Sequence, residues 1–314
     1  MADRRRLGRS DIEITPIGLG CAQMAMTGMT AGVYPTREPN AVVQSALSGG
    51  VNWFDTAEGY GSGESERALT TGLRTAGVRP GEVVIATKWL PFGRRASSIA
   101  RTIGDRISAL QDYPIDLYQI HQPWGLSSVE SEMREMARLL RAGKIRSVGV
   151  SNFSARQMTR AAAALRAEGV ELAANQVQIS LLNRSIERNG VLDAARRLGI
   201  TLIAYSPLHT GILTGRFHDD PDAMRQAPLL RKVMFGRARD LDRSRPLMRE
   251  MGAIADAYGV SRAQVALNWL IHFYGDTVVA IPGASKQQQA EEIAGAQTFR
   301  LTETELGRLG ELSP

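Results

Sequence analysis

Eight apolar runs recur along the chain at nearly even intervals, and this recurrence most constrains its fold. They are IGLGC (17–21), VNWFDT (51–56), VVIATK (83–88), IDLYQIH (115–121), RSVGVSN (146–152), AANQVQ (173–178), ITLIAYS (200–206) and TVVAIPG (277–283). Near the ends of the first seven stand Gly20, Asp55, Lys88, His121, Ser151, Gln176 and Tyr205, spaced 25 to 35 residues apart. One strand with its crossover helix needs about 30 residues. Several runs are apolar throughout rather than alternating, as expected for parallel strands buried on both faces. Eight such units in succession predict a closed (β/α)8 barrel.

The intervening segments carry helical patterns. Ser97 or Ser98 is placed to cap a helix whose Ile99, Ile103, Ile107 and Leu110 share one face. After Ser127, Val129, Met133, Met136 and Leu140 repeat that spacing up to Gly143, and VLDAARRLG (191–199) also stops at a glycine. These stripes read as core. The long gap between Tyr205 and Ile281 predicts an inserted loop (about 208–245) and two helices, Leu247–Tyr258 and Ala263–Phe273. The opening RRLGRSDIEITP reads as a β-hairpin, with Gly8 in its turn region, placed to plug the barrel's bottom. No composition shift marks a domain boundary, so residues 1–314 read as one domain. An open Rossmann sheet fits poorly. GLGCAQ (18–23) has Gln23 where the third glycine belongs, and GYGSGE (59–64) has the wrong spacing.

Composition narrows the function. The net charge is +6, but the basic residues interleave with acids, and only Arg4-Arg5-Arg6 is a dense run. That pattern reads as a solvated surface rather than a nucleic-acid interface. One cysteine, Cys21, permits no intrachain disulfide and fits a reducing compartment. No apolar run reaches the roughly 18 residues of a membrane span, and the N-terminus lacks a signal-peptide core. A cytoplasmic enzyme is the expectation. The four histidines, 121, 209, 218 and 272, show no HxH or HExxH spacing, and no GxSxG elbow occurs. Neither a metal site nor a serine hydrolase is expected.

Chemistry in such barrels sits at the C-terminal strand ends. There the chain places an acid (Asp55), an amine (Lys88) and an imidazole (His121), with a phenol (Tyr60) just beyond the second strand. A phenol is a poor acid at neutral pH, with an ordinary pKa of about 10. A nearby ammonium stabilises the phenolate and makes the phenol a better proton donor. Lys88 supplies that charge, Asp55 holds Lys88, and His121 is placed to orient a substrate carbonyl. The set suits protonation of an oxygen while another group delivers hydride to carbon.

The segments DTAEGYGSGESE, ATK, LYQIHQP, GKIRSVGVSNFS, NQVQISLLNR, YSPLHTGILTG and IPGASKQQQAEEIAGA, in this order, resemble the aldo-keto reductases over nearly the whole length. The style of NQVQISLLNR and YSPLHTGILTG is similar to the bacterial and plastid branches, including pyridoxal reductase-like members. The resemblance implies a catalytic tetrad of Tyr60, Lys88, Asp55 and His121, and NADPH as cofactor, with NADH possible, bound without a Rossmann fold. It implies that Ser151, Asn152 and Gln176 meet the nicotinamide carboxamide, that Tyr205 stacks on its ring and that Gly20 is a further cofactor contact. Ser206, Leu208 and Gly211 would line the pyrophosphate, and Ser285, Lys286, Gln289 and Glu292 the adenosine half. Ile293 departs from the pattern, since many members carry there an asparagine that contacts adenine. Lys286 is a candidate partner for a 2′-phosphate.

Met24, Trp89, Trp124 and His209 are the candidate substrate contacts, on or beside the irregular stretches about 24–37, 89–95, 123–128 and 208–245. The expected partner is a small aldehyde or ketone, with no nucleic acid and no membrane. A cofactor-sensing regulatory subunit of the same fold is the alternative. The physiological substrate and the oligomeric state are not written in the sequence.

Overall fold

The computed structural model describes residues 3–26, 35–220, 222 and 238–313. Ten strands are found among them: β1 (Arg5–Arg6), β2 (Glu13–Ile14), β3 (Leu19–Gly20), β4 (Trp53–Asp55), β5 (Val84–Trp89), β6 (Leu117–Ile120), β7 (Ser147–Ser151), β8 (Leu172–Gln178), β9 (Thr201–Tyr205) and β10 (Val278–Ala280). The last eight form one parallel sheet in sequence order. Parallel bridges from Ile17 to Ala280 and from Gly20 to Gly283 join its two edges. Gly18 N–H donates to the Ala280 carbonyl at 2.8 Å and Gly20 N–H to that of Pro282 at 2.9 Å. The sheet is thereby closed, as the spacing of the apolar runs predicts.

Helices α1 (Pro39–Ser48), α2 (Glu64–Thr75), α3 (Ser97–Ala109), α4 (Val129–Arg141), α5 (Ala155–Ala167) and α6 (Val191–Leu198) follow β3 to β8 in turn. Met133 and Met136 of α4 and Ile99 of α3 are wholly buried, so the predicted stripes are core. Two helix boundaries differ from the expectation. Neither Ser97 nor Ser98 caps α3, which begins after Ala96. The Ser98 hydroxyl instead accepts from the Trp89 indole and from Arg94 Nε, both at 3.2 Å. The first of the two late helices runs from Ala238, not Leu247, to Tyr258, and carries Pro246 inside it. The second, Arg262–Phe273, starts one residue before the expected Ala263, behind a capping box of Ser261 and Gln264. Among the described residues the predicted insertion holds a 3-10 stretch His209–Thr214 and a short helix Arg216–Asp219. Parts of the variable stretches, 27–34, 221 and 223–237, lie outside the described residues.

β1 and β2 pair antiparallel. Leu7, Ile12 and Ile14 pack on Trp53, Ala86, Leu117, Ala173 and Ile203 inside the barrel. Arg5 donates to the carbonyl of Val278 at the start of β10, and Gly8 N–H to Thr201 Oγ1 at the start of β9. The hairpin therefore closes the N-terminal end. Gly8 has a positive φ of 58°, and a Cβ there would stand 2.4 Å from the Ala173 carbonyl oxygen. Only glycine fits that turn. With the bottom plugged, the opposite end is the open one.

Candidate active site

The registers bring the predicted polar residues to that open end. Gly20 is opposite Asp55, Lys88 opposite Gln119, and Ser151 opposite Gln176. His121 follows β6, with its N–H on the Trp89 carbonyl at 2.9 Å. Asp55 and Lys88 are buried inside the barrel and form an ion pair. Lys88 Nζ also donates to the Thr56 carbonyl at 2.8 Å. The second oxygen of Asp55 accepts from Gln176 Nε2 at 2.8 Å and from Gln119 Nε2 at 3.1 Å. Both oxygens of the carboxylate thus have partners, a condition for keeping a charge buried. Burial alone would lower the pKa of Lys88, but Asp55 and Tyr60 outweigh it and hold the ammonium above its ordinary value.

Tyr60 lies on the turn between β4 and α2. Gly61, Ser62 and Gly63 all have positive φ, of 67°, 50° and 97°, which turns the chain sharply into α2. The glycines that follow Tyr60 thus build a turn and a helix start, not a phosphate loop. Lys88 Nζ is 5.1 Å from the centre of the Tyr60 ring. The ring meets His121 edge-on, with centroids 5.7 Å apart. Burial pushes the Tyr60 hydroxyl above its ordinary pKa, and Lys88 only partly pulls it back. The expectation of a depressed phenol pKa is therefore not met: desolvation of the phenolate exceeds the pull of the ammonium. The phenol stays protonated and ready to donate. Burial, helped by Lys88, lowers His121 to about 3, so its imidazole is neutral. Its Nδ1 is buried without a partner among the described residues.

Around this centre, Asn152 stands in the left-handed region with φ of 60°. Its Nδ2 donates to Ser151 Oγ at 3.1 Å, and its Oδ1 accepts from the Tyr205 hydroxyl at 3.0 Å. Tyr205 is partly exposed at the end of β9. Ser206, His209, Thr210 and Gly211 all have positive φ, so the chain after β9 is tightly coiled. Leu208 packs at the edge of the core. Further on, Ser285 N–H and Oγ both donate to Gln289 Oε1, at 2.9 and 3.1 Å. Lys286 is exposed at the N-cap of the helix Gln287–Gly295, which has no side-chain cap, and Glu292 is partly exposed on it. Ile293 is 3 % exposed and packs into the core, so it faces away from solvent.

The four candidate substrate contacts divide. Trp124 is 60 % exposed on the stretch after His121, and His209 Nδ1 lies 3.4 Å from Ser180 Oγ. Trp89 is fully buried, and its indole N–H meets Ser98 on α3. Strand alternation explains this: Lys88 points inward, so its neighbour points to the helix layer. Met24 is also buried, at 5 % exposure, in the main core cluster. Both are thus covered in the core, whereas the sequence reading places them among the substrate contacts.

Sequence reasoning missed Gln119. Its signal was a polar residue inside the otherwise apolar run LYQI, wholly buried in the structure. It also missed two ion pairs behind the site, Glu66 with Arg106 and Glu58 with Arg94.

The residues present fit a nicotinamide dinucleotide. Tyr205 offers a flat ring beside the amide of Asn152. At the start of the helix Gln287–Gly295 the Gln287 N–H donates to Glu38 Oε1 at 3.1 Å, and the exposed Lys286 beside it offers a cationic side chain to an anionic group. A family model described as the aldo/keto reductase family matches residues 16–314. The chain belongs to the aldo/keto reductase family. An uncharacterized oxidoreductase of Mycobacterium tuberculosis is 37% identical over 293 residues, covering 92% of this chain and 86% of the relative. The chloroplastic pyridoxal reductase of Arabidopsis thaliana is 31% identical over 314 residues, covering 94% and 82%. Among solved structures, a Klebsiella pneumoniae aldo-keto reductase in complex with NADPH superposes with a TM-score of 0.74 at 25% identity, covering 100% of this chain and 96% of that one. No helix among the described residues is long and apolar enough to cross a membrane, and no cluster there could hold a metal ion.

Proposed function

We propose that the protein is an NADPH-dependent reductase that converts an aldehyde or ketone to the alcohol. The observation that carries this reading is the meeting of Tyr60, Lys88, Asp55 and His121 at one end of the barrel, with Lys88 Nζ 5.1 Å from the Tyr60 ring centre. The reduced nicotinamide, when bound, supplies the hydride. Tyr60 gives its proton to the carbonyl oxygen as that oxygen gains negative charge. Lys88 stabilises the resulting phenolate, and Asp55 keeps Lys88 in place. Neutral His121 holds the substrate oxygen near Tyr60 through a hydrogen bond. Ser151, Asn152 and Gln176 orient the carboxamide, and Tyr205 supports the ring. The NADPH complex of the Klebsiella relative and the name of the Arabidopsis relative support cofactor and chemistry.

The test is a panel of carbonyls, including pyridoxal, methylglyoxal and sugar aldehydes, followed by NADPH consumption. At least one is expected to be turned over; no turnover across the panel by a folded, NADPH-binding protein would argue for a cofactor-sensing role instead.

Two further results are expected. Lys286→Ala removes a charge from the proposed 2′-phosphate position, a contact of about 1–2 kcal/mol. The Kd for NADPH should rise about tenfold while that for NADH stays nearly constant. Equal losses, measured by quenching of tryptophan fluorescence, would take Lys286 away from the 2′-phosphate.

Tyr205→Ala removes both the ring and the hydroxyl that holds Asn152. A lost stacking contact costs on the order of 1 kcal/mol beyond the buried area. The Kd for NADPH should rise several-fold, and kcat should fall because the hydride's distance and angle are no longer held. Tyr258→Ala is the control, because its hydroxyl donates to Glu305 at 2.9 Å near the C-terminus. Tyr118 cannot serve as one, since it is wholly buried in β6. Wild-type binding and turnover by Tyr205→Ala would refute the stacking role.

A further inference from the structure

Behind Tyr60, one arginine ties together the segments that carry the site. Glu58 stands between Asp55 and Tyr60 on the turn after β4. Its Oε1 accepts from Arg94 Nη1 at 2.5 Å and its Oε2 from the Leu90 N–H at 3.1 Å. Arg94 uses all three of its nitrogens. Nη1 also donates to the Leu90 carbonyl at 3.0 Å, Nη2 to Thr102 Oγ1 at 2.6 Å and Nε to Ser98 Oγ at 3.2 Å. Its guanidinium lies 5.3 Å from the centre of the Trp89 ring. The Arg94 carbonyl accepts from the Leu126 N–H at 2.9 Å, on the stretch that follows His121. Gly59, next to Glu58, faces His121, and a Cβ on it would stand in ordinary contact with the imidazole at 3.7 Å.

We propose that Glu58 and Arg94 are positioning residues that fix the Tyr60 turn relative to Lys88 and His121. An isolated ion pair at the surface contributes little. This one differs: both side chains are about four-fifths covered, at 21 and 22 % exposure. Both carboxylate oxygens and every guanidinium nitrogen have partners, and charge-assisted bonds of this kind fix geometry. The turn is otherwise held mainly through its own backbone: the Tyr60 carbonyl accepts from the Ser65 N–H at 3.3 Å and the Gly61 carbonyl from the Glu64 N–H at 3.0 Å. Glu58 N–H reaches the Lys88 carbonyl at 3.2 Å and Tyr60 N–H the Ala57 carbonyl at 3.0 Å. Removing the pair leaves the turn attached but free to shift Tyr60 by a fraction of an ångström. General acid catalysis is sensitive to such a shift.

The inference rests on Tyr60 as proton donor, so Tyr60→Phe is measured beside Glu58→Ala, Arg94→Ala and the double variant in the full-length protein. The readouts are kcat, KM for an aldehyde, Kd for NADPH, the solvent deuterium isotope effect on kcat and thermal stability. Each single variant should lower kcat about tenfold, leave KM and the NADPH Kd within about twofold, and raise the isotope effect as proton transfer becomes limiting. The double variant should be little slower than the worse single one, because the two side chains act as a unit. Glu58→Gln keeps shape but not charge and should lose several-fold in kcat, which covers failure of an alanine variant to fold. Wild-type kcat in the singles, losses that multiply in the double, or an effect on KM alone would overturn the proposal. A fully active Tyr60→Phe would instead remove the reading on which it rests.

Discussion

Replacing Tyr60 by phenylalanine is expected to lower kcat for aldehyde reduction about 100-fold or more, while NADPH affinity stays within about twofold. The substitution removes one oxygen and keeps the ring that meets His121 edge-on. Neither of the neighbouring side chains replaces its proton. His121 is neutral, with a pKa lowered to about 3, and Lys88 is held as an ammonium by Asp55. The pH dependence follows from the same directions. Tyr60 is raised above its ordinary value and so stays protonated through neutrality. His121 changes charge only in strong acid. The wild-type kcat should therefore be flat between about pH 5 and 8, the range in which an unperturbed histidine would titrate. A limb near about pH 6.5 would show that the imidazole titrates where it should be neutral.

Lys88→Met should damage both stability and rate. It leaves the Asp55 carboxylate, with 2 % of its side chain exposed, without a counter-charge. Breaking a buried pair in this way costs about 3–5 kcal/mol. The amides of Gln119 and Gln176 remain on Asp55 but carry no charge. Tyr60 loses the cation that opposes its desolvation, so kcat should fall about 100-fold even where the protein is folded. Urea unfolding and steady-state kinetics separate the two effects. A variant folded and active like the wild type would mean that Lys88 neither stabilises the barrel nor assists Tyr60.

The barrel could be read from the sequence because its signal is repeated. Each of the eight strands coincides with an apolar run, and the strand ends bring the predicted polar residues to one end of the barrel. What escaped depended on contacts between distant segments or on broken local rules. Pro246 lies inside a helix that begins at Ala238, where a proline normally marks a boundary. Ser98 has the residue type of a cap, but Trp89 and Arg94 take its hydroxyl. Trp89 follows Lys88 in the chain, yet the strand period of two turns it outward, away from the site. Gln119 meets Asp55 from 64 residues away, a distance no local pattern reports. The Tyr60 pKa is a balance between burial and charge, and only the folded environment decides which is larger.

The most direct test of the reductase reading follows the hydride itself. The protein is incubated with a reducible aldehyde and NADPH carrying deuterium at C4, in either configuration, and the alcohol is examined by mass spectrometry. One of the two labelled cofactors should place one deuterium on the carbinol carbon, with one NADPH consumed per alcohol, and Tyr60→Phe should slow this transfer about 100-fold or more while still binding NADPH. NADPH bound by the folded wild type, with no label in any alcohol across the carbonyl panel, would contradict it.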